Sequence, residues 1–432
     1  MSLIALCDCN NFFVSCERLY RPELDGVPVV VLSANDGCII SRSEEVKAMG
    51  IPMAEAYFKV EPLLRKKGVV VFSGNLHLYR QISARVMQAL SRFTDALEIY
   101  SIDEAFFNLD IRSISDPAAH AQQIREAIRR LTGIPVSIGI APSKTLAKLA
   151  SELAKRAGGV YGITRLSAPP LLDQTEVGDV WGVGWRHARM LRGYGVRTAG
   201  DLARKDPIWI KSRLTVRGLI TQFELMGYPC IPLVARTAPP KSIQVSHSFG
   251  ETLRTKSELE KPVVEHALKA GRMLRGHRLA AQSINVFLLQ GFISKQHRFL
   301  SARERLPSPV HDDVSLVRAV LRLLTQAYRP GEIYTKAGVT LSDLHDARYR
   351  QKTLFEEPDA THAQAERFAE VVDRINERLG GRAIYPAALA GTDRKWQCKS
   401  HMRSSGELRI AGSKSWSSAP HPARGVPPLD PS

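Results

Sequence analysis

Asp103 and Glu104 stand side by side between two apolar segments, Leu97 to Ile102 and Ala105 to Leu109, which have strand length and β-branched or aromatic content. The pair therefore falls at or beside a tight β-connection. By itself, a doublet in such a place is the ordinary content of a solvated turn. A third acid changes its meaning. Asp8 closes the apolar run Leu3-Ile4-Ala5-Leu6-Cys7, the pattern of a strand buried on both faces, where a charge is costly unless it is paired or metal-bound. Carboxylate oxygens without histidine or thiolate donors suit hard cations, Mg²⁺ first and Mn²⁺ second, which also bind phosphates. Two such ions roughly 3.5–4 Å apart can activate an attacking oxygen and stabilise a leaving pyrophosphate.

Three acids so far apart in sequence need a scaffold that brings them together. A helix is expected over Leu78–Phe93, another near Ala118–Leu131, and a strand over Pro135–Ile140. The order β, inserted segment, α, β, β, α, β is that of a ferredoxin-like sheet, in which the first strand lies centrally beside the one carrying Asp103. Asp8, Asp103 and Glu104 then converge. The fold class expected is α+β and multidomain.

The runs Asp8-Cys9-Asn10-Asn11-Phe12-Phe13-Val14-Ser15-Cys16-Glu17, Tyr100-Ser101-Ile102-Asp103-Glu104-Ala105 and Gly139-Ile140-Ala141-Pro142-Ser143-Lys144-Thr145-Leu146-Ala147-Lys148-Leu149-Ala150 closely resemble Y-family translesion DNA polymerases of the UmuC type. The resemblance extends in ordered motifs to about residue 355. It implies a right-hand polymerase with a palm over 1–10 and 76–166, fingers over 11–75, a thumb over 167–234, a little finger over 241–345 and a tail over 346–432. It also implies that Asp8, Asp103, Glu104 and the Cys9 carbonyl bind two Mg²⁺ ions. Phe12, Phe13, Ser41, Lys47 and Lys155 match positions that face the incoming nucleotide, with Phe13 as the ring that excludes a ribose 2′-hydroxyl. For Phe12 the preferred reading is a core aromatic packed beneath. Lys47 has a second reading as the partner of Glu44 one turn before it. Glu44 itself departs from the family, which often has tyrosine there.

Composition agrees with a polyanionic partner. The chain has 432 residues, 60 Lys and Arg, 43 Asp and Glu, and a net charge of +17. Its length is that of roughly three domains. No apolar run reaches the ~18 residues of a membrane span, and the start lacks a basic and apolar leader pattern, so a cytoplasmic protein is expected. Six cysteines without a Cys-x-x-Cys pair are read as reduced and structural.

Beyond the acids, Ile138 and Ser143 stand where a phosphate-binding P-loop needs glycines, which excludes that motif. Pro169-Pro170 is expected to mark a boundary. Val180-Trp181-Gly182-Val183-Gly184 and Gly193-Tyr194-Gly195 form a helix-hairpin-helix signature, with Gly182 and Gly184 letting the backbone approach a DNA phosphate; a plain helical turn is the alternative. After the linker Ala238-Pro239-Pro240, a second βαββαβ order is expected, with a helix Ser257–Arg275 opened by a capping box from Ser257 to Glu260. Lys241 through Arg350 carries 18 Lys and Arg against 10 Asp and Glu, a net of +8, a surface suited to a duplex backbone. Gln351-Lys352-Thr353-Leu354-Phe355 resembles the pentapeptide by which bacterial polymerases hold the sliding β clamp. A helix Ala363–Leu379 is expected next, then from Gly391 a polar end poorly ordered on its own, with Trp396 as a partner anchor. The resemblance adds primer-template DNA, dNTP, a UmuD′-like accessory dimer and RecA as partners. Two other readings remain: a nucleotidyl cyclase-like enzyme, and a DNA-binding scaffold without catalysis.

Overall fold

The computed structural model describes residues 2–110, 116–234, 238–291, 298–349, 360–379, 383–390 and 395–404. It divides into two compact units, one holding residues up to Thr237 together with 401–404, the other holding 238–400.

The strands of the first unit are β1 (Ser2–Cys9), β2 (Val29–Leu32), β3 (Ile39–Arg42), β4 (Val70–Ser73), β5 (Leu97–Ile99), β6 (Glu104–Asp110), β7 (Val136–Ala141) and β8 (Val160–Gly162). Five of them form one sheet in the order β5-β6-β1-β7-β8, so β1 lies centrally, antiparallel to both β6 and β7. Side chains alternate between two faces and both faces are covered, which is why β1 is apolar from Leu3 to Cys7. Ala5, Cys7 and Cys9 enter the core on one face with Ala105, Phe107, Val136 and Ile138. Ile4 and Leu6 enter a different core on the other face with Phe106 and Ala141. Helices Leu76–Leu90 and Pro117–Thr132 supply the first core, and helix Lys144–Ala154 supplies the second.

Pro169 and Pro170 stand at a helix start. Both prolines lie in the first turn of Ala168–Gln174, where a missing N–H costs nothing, and Ala168 and Leu172 are buried in the same core as Leu6. Helices Trp185–Gly193, Ala199–Arg204 and Pro207–Leu225 complete that core through Leu191, Leu202 and Ile210. Glu224, fully buried, accepts the amides of Thr145, Cys230 and Ile231, which ties the long helix to the start of Lys144–Ala154.

A smaller sheet, β3-β2-β4, is built from the segment inserted after β1, around Val30, Leu32, Ile39 and Leu64. Helix Tyr57–Lys66 and β4, absent from the sequence reading, belong to it.

The second unit has β9 (Ser242–Leu253), helix Lys256–Gly276, β10 (Leu279–Gln290), β11 (Phe299–Val310), helix Asp313–Ala327 and β12 (Tyr334–Asp346). Its βαββαβ order is as expected, but its sheet runs β11-β10-β12-β9, with the first strand at an edge. Pro307 and Pro309 are tolerated because β11 is the other edge. The capping box is two residues earlier than expected: Thr255 caps the helix and Glu258 returns the bond to its amide. Trp396, partly buried, packs against this unit's core, and Lys395 O accepts the amide of Glu251. A helix spans Ala360–Arg378. Gln351, Leu354 and Phe355 lie outside the described residues.

Candidate active site

Strand register decides where the acids meet. Asp8 sits opposite Glu104 across the β1/β6 pair, and the amide of Cys9 donates to the carbonyl of Asp103 at 2.9 Å. Both positions fall on the face that carries Leu6 and Phe106, the face covered by helix Lys144–Ala154. The connection between β5 and β6 is locked by Ser101, whose hydroxyl accepts the amides of Asp103 (3.2 Å) and Glu104 (3.1 Å) and donates to the Asp103 carboxylate. A serine two residues before an acid is a local turn device, and that signal was readable in the sequence.

The covering helix starts at Ser143, whose side chain caps the amide of Leu146. It packs on β7 at Gly139, where an added Cβ would overlap the backbone of Ser151 and Ala147. Two turns along this helix direct Lys148 and Lys155 at the acids. Lys148 Nζ is 3.0 and 2.8 Å from the two Glu104 oxygens and lies over the rings of Tyr100 and Trp181. Lys155 Nζ is 3.1 Å from Asp8 Oδ1 and 2.7 Å from Glu152. Asp8 is 7% exposed, and burial pushes its carboxyl up to about 7, with Lys155 opposing the shift and Glu104 adding to it. The pairing of Lys148 with Glu104 was missed in the sequence, because nothing local links residues 44 apart. Lys144, the lysine of the rejected P-loop, is buried against Glu98 at 2.6 Å and the Pro232 carbonyl at 2.8 Å.

Hard oxygen donors from Asp8, Asp103 and Glu104 fit a divalent cation in kind. As they stand, the lysines occupy two of these carboxylates, and among the described residues no three His, Cys, Asp or Glu side chains form a ready ion cage.

Helix Phe12–Leu19 leaves β1 beyond a left-handed Asn11 (φ 46°). Phe13 is half-buried and its ring stacks on Tyr79 at 4.7 Å and 22°. Phe12 is 4% exposed and packs in the core, its ring 5.7 Å from that of Phe13. Ser41 is buried, its hydroxyl accepting the Val14 amide at 3.4 Å. Lys47 pairs with Glu44 at 2.7 Å, and Glu44 also accepts from Asn11 at 2.9 Å. Gly182 adopts φ +94°, and Gly184 begins helix Trp185–Gly193 with no side chain on its first amides. Lys241 is exposed just ahead of β9. All six cysteines are free. No helix of the described residues is long and apolar enough to cross a membrane.

Comparison with known proteins agrees with this architecture. Residues 7–152 match the impB/mucB/samB family and residues 240–354 match the impB/mucB/samB family C-terminal domain. The chain is 37% identical to Protein ImpB of Salmonella typhimurium over 93% of its own length and 96% of that protein. It is also 37% identical to Protein UmuC of Salmonella typhimurium strain LT2, over 93% and 97% of the two chains. DNA polymerase IV of Corynebacterium diphtheriae is 32% identical over 82% and 77%. Among solved structures, a Y-family DNA polymerase chimera superposes with a TM-score of 0.65 at 19% identity, covering 79% of this chain and 98% of that one, a likeness of fold. With relatives this similar along nearly its whole length, the chain belongs to the impB/mucB/samB family, the UmuC type of Y-family, error-prone translesion DNA polymerases.

Proposed function

We propose that the acids at the β1/β6 end are the catalytic centre for template-directed addition of dNTP to a primer, with Asp8, Asp103, Glu104 and the Cys9 carbonyl holding Mg²⁺, or Mn²⁺ in its place. The observation that carries this reading is the register that sets Asp8 opposite Glu104, with Asp103 adjacent, beneath two lysines. Bound there, Mg²⁺ would supply the positive charge that favours ionisation of the primer 3′-hydroxyl and carries the charge of the leaving pyrophosphate. The protein's own part is positional. Lys155, at hydrogen-bond distance from Asp8, is within reach of a triphosphate bound over the acids and exchanges one anion for another. Lys47 can do the same once released from Glu44. Ser41 acts from within, by fixing the helix that carries Phe13. The Phe13 ring bars a 2′-hydroxyl, and Phe12 supports it from the core.

The same reading assigns the palm to 1–10 and 76–166, the fingers to 11–75, the thumb to 167–234, the little finger to 241–345 and the tail to 346–432. Open amides after Gly182 and Gly184 suit a DNA phosphate without reading sequence, and Lys241 opens the most basic domain. Fingers of about 65 residues are small for enclosing a base pair, which fits tolerance of damaged templates in a cytoplasmic SOS-type response. Gln351, Leu354 and Phe355 are assigned to the sliding β clamp, and a UmuD′-like dimer and RecA are assigned as further partners; clamp pull-down with Leu354→Ala/Phe355→Ala reads the first of these contacts.

The deciding experiment is primer extension with Mg²⁺. Asp103→Asn and Glu104→Gln should each lower the rate by roughly 10²–10³-fold while primer-template affinity stays nearly constant. Extension at the parent rate by either variant would remove the catalytic assignment.

A further inference from the structure

The described end of the chain does not stop at the second unit. Residues 401–404 dock on the first unit, along the edge strand β4 of the small sheet. Ser73 donates its amide to the Met402 carbonyl at 3.0 Å, and its hydroxyl accepts the Met402 amide at 3.0 Å. Arg403 forms a parallel bridge with Ser73, covering a sheet edge. The Met402 side chain packs against the core of Val30, Leu32 and Ile39. Arg403 Nη2 reaches Asn75 Oδ1 at 3.0 Å, and Asn75 Nδ2 donates to Ser404 Oγ at 3.4 Å.

Ser404 then enters the interior. Its hydroxyl donates to Glu17 Oε1 at 3.1 Å, the same oxygen that takes the Tyr79 hydroxyl at 2.7 Å. Glu17 is 1% exposed and Tyr79 fully buried, so this carboxylate depends on the hydroxyls around it for the solvation it has lost. Tyr79 is in turn the ring on which Phe13 stacks. A continuous chain of contacts thus runs from the carboxy-terminal segment through Ser404, Glu17 and Tyr79 to Phe13.

We propose that the segment His401–Ser404 is a specificity-determining part of the polymerase, setting the Phe13 ring through Glu17 and Tyr79 and thereby the discrimination between deoxyribo- and ribonucleotides. This rests on the assignment of Phe13 as the sugar-excluding ring. Glu17, Tyr79 and Ser404 are positioning residues: none touches the nucleotide, and each limits where Phe13 can stand. A ring that excludes one hydroxyl has a tolerance well below 1 Å, so freeing Tyr79 to tilt alters sugar choice before it alters chain folding.

Two variants of the full chain test this by single-nucleotide insertion with dNTP and rNTP in parallel. Tyr79→Phe keeps the stacking ring and removes its anchor on Glu17. Met402→Asp/Ser404→Ala lifts the segment from the small sheet without touching the site. Each should lower the dNTP-to-rNTP preference severalfold, and Tyr79→Phe should cause no further loss when combined with Phe13→Ala. If both variants lose dNTP and rNTP insertion in equal proportion, the contacts are merely structural and the inference is overturned. Phe13→Ala separates the two levels. An unchanged sugar preference in that variant refutes the gate itself; a changed preference there with none in Tyr79→Phe refutes only the role of the segment.

Discussion

Lys148 holds both oxygens of Glu104, at 3.0 and 2.8 Å, on the face of the sheet where Asp8 meets Lys155. Any divalent cation that takes Glu104 as a ligand competes with that ammonium. Lys148→Met, which keeps the length of the stem and removes the charge, should therefore lower the Mg²⁺ concentration for half-maximal primer extension severalfold. A titration that gives the same or a higher requirement contradicts the competition.

On the proposed assignment of Phe13 as the sugar-excluding ring, Phe13→Ala opens space beside the sugar, and Tyr79 and Phe12 remain to close the core behind it. The variant should keep much of its dNTP insertion and gain rNTP insertion by up to about 100-fold, the scale attached to a misplacement near 1 Å. Parallel insertion kinetics measure it; a variant that loses both substrates together has lost core packing instead.

Gly139 lets helix Lys144–Ala154 rest on β7, and a methyl there meets backbone that cannot turn aside. Gly139→Ala should cost about 1–3 kcal/mol or more in stability. Because the displaced helix carries Lys148 and Lys155, extension should slow as well. Thermal unfolding and primer extension together read the effect, and an unchanged Tm would show that the helix can shift freely.

His266 is buried in helix Lys256–Gly276, edge-on to His247, with Lys269 and Lys336 as the nearby cations. Burial, then His247 and the two lysines, push the His266 imidazole down to about 4; His247 is lowered in the same direction, again by burial first. Between pH 4 and 6.5 the unfolded chain binds a proton at this position that the folded chain refuses. Stability therefore rises with pH across that window, by up to roughly 3 kcal/mol for His266, and is lost as the pH falls through it. His266→Gln should flatten this limb of the pH profile of thermal unfolding. A limb equally steep in the variant would assign the acid sensitivity to other groups.

The sequence by itself determined the pattern of the central sheet, because a strand buried on both faces must be apolar, and the run Leu3 to Cys7 in β1 is, up to Asp8. It also determined the second βαββαβ unit, whose alternation and helix lengths are local properties. Local signals were less exact where two caps compete: Ser257 and Thr255 both precede a glutamate at the required spacing, and only backbone geometry at Thr255 selects one. Pro169-Pro170 marks a change of element in the sequence, and the structure adds that both prolines open a helix whose Ala168 and Leu172 are buried. What tertiary structure alone decided are the pairings between distant residues. Lys148 finds Glu104 because Gly139 lets one helix approach the sheet. Ser404 finds Glu17 across 387 positions because β4 offers an open edge to the segment 401–404. No periodicity within either segment encodes such a contact, since its energy depends on a partner that only folding brings near.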